Sequence, residues 1–284
     1  MNASRTLLRT WLLRQLDAPQ AAWLDAQATA ITAGADGAAL DIAFGLAPRK
    51  LGKAALALDG QDLAAADRAV QGWSPRGWSV ADAARVLLLC SLPGGGQAFA
   101  ERFRALCQSA DMAELVALYR GLPLYPEPAA LLAQVGEGLR SNMCAVFEAI
   151  AQHSPFPKKH FDPHRWNHMV LKALFIDSPL APIQGLDERA NPELARIMCD
   201  FAHERWAAGR PVPHEIWRCV GPFAAGPMLG DLEHALLRGT DLERQAAALG
   251  LAACPEPRAA AILGHAPELV QDIAADTLNW QSLA

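Results

Sequence analysis

Strand-forming residues are in short supply in this 284-residue sequence: aromatic residues make up 7% of it, and tyrosine occurs only twice. The apolar content is carried by alanine and leucine, which favour helices, whereas strands favour β-branched and aromatic residues. A β-rich architecture is thereby excluded and an all-α fold is expected. Charge is sparse as well. At 19% charged and 52% hydrophobic, the chain is too apolar to stay unfolded. A formal net charge of −5 comes without the basic stripe of a general nucleic-acid binder, and no nucleic-acid partner is expected. The six cysteines (Cys90, Cys107, Cys144, Cys199, Cys219, Cys254) form no CxxC pair. That argues against a zinc-thiolate site and for scattered thiols buried in a reducing compartment.

Long apolar runs are missing too. None approaches the ~20 residues that cross a bilayer as a helix. The opening "MNASRTLLRTWLLRQLDAP" is interrupted by Arg5, Arg9 and Arg14, so no signal peptide is read there. Leu7, Leu8, Trp11, Leu12 and Leu16 fall instead at helical spacing. A soluble, cytoplasmic protein is expected. "PGGGQAF" lacks the Gly-Lys-Ser/Thr ending of a phosphate loop. No GxSxG elbow occurs, and no GxGxxG follows a strand pattern.

What the sequence does have is a succession of short helical segments, each closed by Pro, Gly or both. Ser79 opens "SVADAARVLLLCSLPGGG", and Asp111 opens "DMAELVALYRGLPLYPEP", which Gly121 stops. Short helices joined by short turns predict stacked antiparallel helix pairs. Toward the C-terminus, "GTDLERQAAALGLA" has the character of a HEAT-type repeat, with Asp241 as cap and Ala246, Leu249 and Leu251 inside the stack. The expected organisation is one all-helical domain over residues 1–284, with a motif-rich region at 153–223 and HEAT-like helices at 228–284. No strict period runs through the rest, so the repeat is degenerate, and an irregular bundle fits the pattern equally.

The motif-rich region holds six of the eight histidines and three of the eight tryptophans. In "HFDPHRWNHMVLKALFIDSP", Asp162 and Pro163 start a helix that runs through Leu174 and stops before Pro179. His160 precedes that start, so three evenly spaced histidines reduce to two on one face, His164 and His168. A zincin would carry Glu where Arg165 stands. A structured loop anchored by Leu180, Ile183 and Leu186 leads to a second helix, capped by Asn191 and opened by Pro192. On that helix Arg196, Asp200, His203 and Glu204 fall near one face. Cys199 lies four residues before His203, with Leu194 and Ile197 on the apolar side.

Three readings fit these residues. Asp200 and His203 could join His164 and His168 in a helical metal site. Arg165, Arg189, Arg196 and Arg205 could pair with Asp177, Asp187, Asp200 and Glu204 in a buried salt-bridge network. The arginines and histidines could instead hold a carboxylate or phosphate, walled by Trp166, Trp206 and Trp217.

The phrases "WNHMVLKALF", "GLDERANPELA", "HERWAAGRPV" and "EIWRCVGPF" resemble the EboA family, with Ile216 where the family pattern has leucine. The matching positions include His164, Trp166, Asn167, His168, Asp187, Glu188, Arg189, Asn191, His203, Glu204, Arg205 and Trp206. The resemblance implies a small operon that also encodes a prenyltransferase-like membrane protein, a TatD-like hydrolase, a sugar-isomerase-like barrel and a dehydroquinate-synthase-like protein. It implies a part in metabolite traffic, including movement of a precursor to the periplasm. It carries over no reaction and no catalytic residue.

Together these lines lead to an expected non-enzymatic binding or scaffold component of a metabolite-handling and precursor-export pathway, without a cofactor. Its ligand would be an anionic or prenylated intermediate, or a partner protein from the same operon. The expected binding residues are Arg165, Trp166, Asn167, Asp187, Glu188, Arg189, Asn191, Arg205 and Trp206. Arg165 and Arg189 would meet negative charge, and Trp166 and Trp206 would supply apolar contact. The alternative is a metal-dependent enzyme, with His164, His168, Asp200 and His203 holding a divalent transition metal and Glu204 as base.

Overall fold

Helices begin where a side chain can satisfy the first free backbone N–H groups. The computed structural model describes residues 3–34 and 37–283, and five of its helices open with reciprocal capping boxes. Asp17 pairs with Gln20, Asp59 with Asp62, Ser79 with Asp82, Asp111 with Glu114, and Thr240 with Glu243. Ser79 and Asp111 cap as their sequence context predicts. Asp241 does not. The Thr240 hydroxyl accepts from the Glu243 N–H at 3.3 Å, and the Glu243 carboxylate accepts from the Thr240 N–H at 3.0 Å. The Ser/Thr-x-x-Glu spacing selects Thr240, whereas Asp241 would need Arg244 to close the same box.

The fold is all-α. The described residues contain no strand, only an isolated antiparallel bridge between Ala55 and Ser79. No helix among them is long and apolar enough to cross a membrane. Two compact units divide the chain between Phe161 and Asp162.

Unit 1 holds α1 (Ala3–Leu13), α2 (Ala18–Thr32), α3 (Gly37–Leu51), α4 (Gly60–Ala69), α5 (Val80–Leu89), α6 (Gly96–Ser109), α7 (Met112–Arg120), α8 (Pro128–Arg140), α9 (Cys144–Ala151) and α10 (Phe156–His160). Its centre is α5, all of whose residues are buried against α1, α2, α3 and α7. A helix buried on every side is a core helix, here with Asp82 and Arg85 buried beside its apolar residues, and each of its buried leucines contributes roughly 2 kcal/mol. Beside it, Trp73 lies between Trp11 and Trp78, with ring centroids 5.6 and 6.2 Å away. Cys107 is buried, but Cys144 is exposed and donates to Glu148 at 3.3 Å, so burial does not extend to every thiol.

Unit 2 holds α11 (Pro163–Phe175), α12 (Pro192–Ala207), α13 (Ile216–Val220), α14 (Pro227–Arg238), α15 (Asp241–Ala252), α16 (Pro257–Leu263) and α17 (Pro267–Ala274). Here α15 is central and packs on α13, α14, α16 and α17. Ala246, Leu249 and Leu251 are buried, as their pattern predicts. Where α13 meets α15 the backbones themselves touch. A Cβ added at Gly221 would lie 2.4 Å from the Gly250 carbonyl oxygen, so only glycine fits. Leu180, Ile183 and Leu186 anchor the loop between α11 and α12. The Glu215 carboxylate holds its start by accepting from Leu180 N–H at 2.9 Å and Ala181 N–H at 2.5 Å.

Candidate functional site

The Asp162 carboxylate accepts from the Arg165 N–H at 2.7 Å and so fixes the first turn of α11. That start turns Trp166, Asn167, Met169 and Val170 into the core and leaves His164 and His168 exposed. The two imidazoles are neighbours, with ring centroids 4.3 Å apart. His160 takes no part in this face, because it ends the preceding helix, α10.

The asparagines of the motif are structural joints. Asn167 Nδ2 donates to Asn191 Oδ1 at 3.2 Å, and Asn191 Nδ2 returns a bond to Asn167 Oδ1 at 2.9 Å. Asn191 Oδ1 also accepts from the Leu194 N–H at 2.9 Å, which caps α12. This exchange pins the middle of α11 to the start of α12, and it brings Arg189 over Trp166 with the guanidinium carbon 4.7 Å from the ring centroid. Burial lowers the Arg189 pKa, opposed by the charge of Asp162. The Asp162 carboxyl is held below its usual range by the Arg165 N–H bond and then by the charges of Arg165, His164 and Arg189. The charges of Arg165, His164 and Arg189 thus act on one carboxylate, and Arg189 lies over a buried indole.

Other expected residues lie elsewhere. Asp187 is taken by Arg218, which donates to it from Nε at 2.5 Å and Nη2 at 2.6 Å. Glu188 is exposed in the same loop. Arg205 and Trp206 stand at the far end of α12, roughly 20 Å along the axis from Asn191 at 1.5 Å per residue. Arg205 Nε donates to the Pro211 carbonyl at 2.9 Å. Trp206 packs on His234 and Trp217, with centroids 4.4 and 6.0 Å away.

The metal candidates are not assembled into one centre. Asp200 accepts from Arg196 at 2.6 Å, His203 Nε2 pairs with Asp231 Oδ1 at 2.7 Å, and Glu204 is exposed beside Arg205. Among the described residues no group of three or more His, Cys, Asp or Glu is placed to hold a metal ion. The anticipated buried salt-bridge network is reduced as well. Arg196–Asp200 forms, but at the surface, and Asp187 and Arg205 have the partners given above. Burial raises the Cys199 thiol, and Asp231 raises it further. Cys90, Cys107 and Cys219 are pushed up to about 12, chiefly by burial. None of these four is a ready thiolate.

Sequence reasoning missed Arg218, Asp231 and His234 as partners. Arg218 stands in plain view within "EIWRCVGPF". Asp231 and His234 carry no signal beyond their spacing on α14.

Residues 4–221 match the family model described as "Metabolite traffic protein EboA". No curated protein and no solved structure matches the chain.

Proposed function

The chain belongs to the EboA family, which is described as metabolite traffic proteins, and from that premise we propose that it binds the anionic group of a traded intermediate without transforming it. One observation carries this reading: the Arg189 guanidinium lies over Trp166, 4.7 Å from the ring centroid, in the same field that Arg165 and His164 exert on Asp162. Guanidinium groups present paired donors that match carboxylate and phosphate oxygens. Arg189 is partly withdrawn from water and stacked on Trp166, which limits the positions its guanidinium can take. His168, beside His164, lengthens the donor edge. Asn167 and Asn191 act as positioning residues that hold α11 and α12 in register. Such a carrier or scaffold would hand its cargo to the membrane-bound prenyltransferase-like and TatD-like proteins that the family resemblance implies.

The test is a titration of the full chain with inorganic pyrophosphate, read by the imidazole NMR signals of His164 and His168. Both signals should shift saturably. In Arg189→Gln the affinity should fall by about tenfold or more, as expected for one lost charge-assisted hydrogen bond. An unchanged affinity in a folded Arg189→Gln protein would remove the reading.

The 4.3 Å spacing of the His164 and His168 rings favours one other reading, a divalent transition metal held between them. It predicts stoichiometric zinc or nickel on dialysed protein, lost in His168→Ala. Equal metal content in the two proteins would eliminate it.

A further inference from the structure

Unit 1 contains a hollow of about 350 Å³ lined by the turn before α5, by α7 and by α9 with the residues that follow it. That volume lies within the range of small-molecule sites. Its polar wall is built from Arg76, Arg120, Glu148 and His153, and Trp73 belongs to the same wall.

Each of these groups has a distinct setting. Arg120 is anchored: its Nη1 donates to Asp82 Oδ2 at 2.8 Å and leans on the Gly77 carbonyl at 3.4 Å. The same Asp82 oxygen accepts the Ser79 N–H at 2.9 Å and so starts α5. One buried carboxylate thus begins the core helix and aims an arginine. Glu148 accepts from the Cys144 thiol at 3.3 Å. Arg76 makes no hydrogen bond or ion pair with any described residue, so no carboxylate meets its charge. His153 has left-handed backbone, φ 52°, a conformation that non-glycine residues adopt rarely and that clusters at functional sites. Burial, then Arg76, then Arg120 lower the His153 pKa, which puts all three in one field. Trp73 is 2% exposed, and its indole N–H has no acceptor among the described residues. An indole N–H can only donate, and a buried donor without a partner costs about 1–3 kcal/mol.

Arg76, exposed and without a carboxylate partner, and Arg120, aimed by Asp82, put two cations in one wall. We propose that this hollow is a separate ligand site for a small oxyanion, the carboxylate or phosphate end of a metabolite, with Arg76 and Arg120 as its donors and Trp73 as the reporting part of its wall. The site shares no residue with the Arg189 face, so either can fail without the other. Bound negative charge also offsets the field that keeps His153 neutral. The charged groups facing His153 are Arg76 from the turn, Arg120 from α7, Glu148 from α9, and Asp82 behind Arg120. Histidine alone among these types ordinarily titrates between pH 5 and 8, and the lowered His153 value places the tightening of oxyanion binding below the ordinary value of about 6.5.

The experiment uses the full chain with ¹⁵N-labelled tryptophan. The Trp73 indole signal is identified by its loss in Trp73→Phe. Sulfate and benzoate are titrated separately, since neither changes charge between pH 5 and 8. A saturable shift of the Trp73 signal is expected, weakened by about tenfold or more in Arg76→Gln and unchanged in Arg189→Gln. A response to sulfate alone identifies a phosphate-type guest, and a response to benzoate alone identifies a carboxylate on a planar body. Silence of the Trp73 signal toward both probes in folded protein overturns the site. So does an Arg76→Gln protein, exposed at its changed position and folded, that titrates like the parent.

Discussion

In unit 1 the Arg85 guanidinium lies 4% exposed inside α5 and donates to the Phe44 carbonyl at 3.1 Å and to Glu114 at 3.3 Å. In unit 2 Arg196 bridges Glu193 and Asp200 with 54% of its side chain in water. A charge withdrawn from solvent must be met completely, because an unmet one costs far more than the pair contributes. A charge at the surface is met by water whenever its partner leaves. Unit 1 therefore uses ionised groups as internal framework, down to the Asp82–Arg120 pair at its hollow. Unit 2 uses polar groups to tie loops to helix ends, as in Asn167–Asn191, Asp187–Arg218 and Glu215 with the Leu180 and Ala181 N–H groups. A dense run of polar motif residues can thus mark a carefully held loop, while a stretch of plain scaffold can enclose a hollow.

Glu114→Ala tests this contrast most severely. It orphans Arg85 and also removes the acidic member of the α7 capping box, so unfolding in urea should show a loss of about 3 kcal/mol or more. Glu193→Ala, its surface counterpart in unit 2, should leave the midpoint nearly where it was. Equal effects from the two would erase the distinction.

Unit 2 should prove sensitive where backbone meets backbone. Gly221→Ala drives a methyl group into the Gly250 carbonyl and should cost about 2 kcal/mol. Gly230→Ala, with no heavy atom within 4 Å of the added Cβ, should instead stabilise α14 by about 0.5–1 kcal/mol. Thermal unfolding of the two variants side by side reads both signs, and a tolerated Gly221→Ala would mean that α13 and α15 can move apart at little cost.

The smallest effect sharpens the description of the unit 1 hollow. Because burial and two arginines depress the His153 pKa, the folded chain holds this proton less well than the unfolded chain does. The neutral ring's contribution is fully present above the ordinary histidine value of about 6.5. It is lost as pH falls from there through the lowered folded value. His153→Gln should flatten part of the acid-side decline of the melting temperature. An identical decline in both proteins would show that His153 does not feel the arginines.

Much of the scaffold is legible in the sequence because helix starts obey a local rule. Ser79, Asp111, Asp162 and Asn191 each cap the helix that their neighbours predict. Thr240 caps where Asp241 was expected, because only Thr240 has a glutamate three positions on to close the box. The candidate site is legible only as a set of residue types. Asn167 and Asn191 are 24 positions apart and Asp187 and Arg218 are 31 apart, and no spacing rule links residues at such distances across a fold. The same holds for the hollow in unit 1. Its wall is gathered from positions between Trp73 and Ser154, and only His153 and Ser154, at the edge of the motif-rich region, lie in a stretch the sequence singles out.

The contact between Gly221 and Gly250 has a mechanical consequence. Most helix pairs accommodate strain by switching rotamers at their contact, a soft adjustment spread over many bonds. Here no rotamer exists to switch, since both partners lack side chains and the Gly250 carbonyl already occupies the space a Cβ would need. Displacement between α13 and α15 at this point must either slide one backbone along the other or separate them outright. Compression at this point meets hard backbone at once, and the contact sits at the residue where the family match ends. The helices beyond that residue are thus joined to the matched stretch through a contact that leaves no side chain to compress.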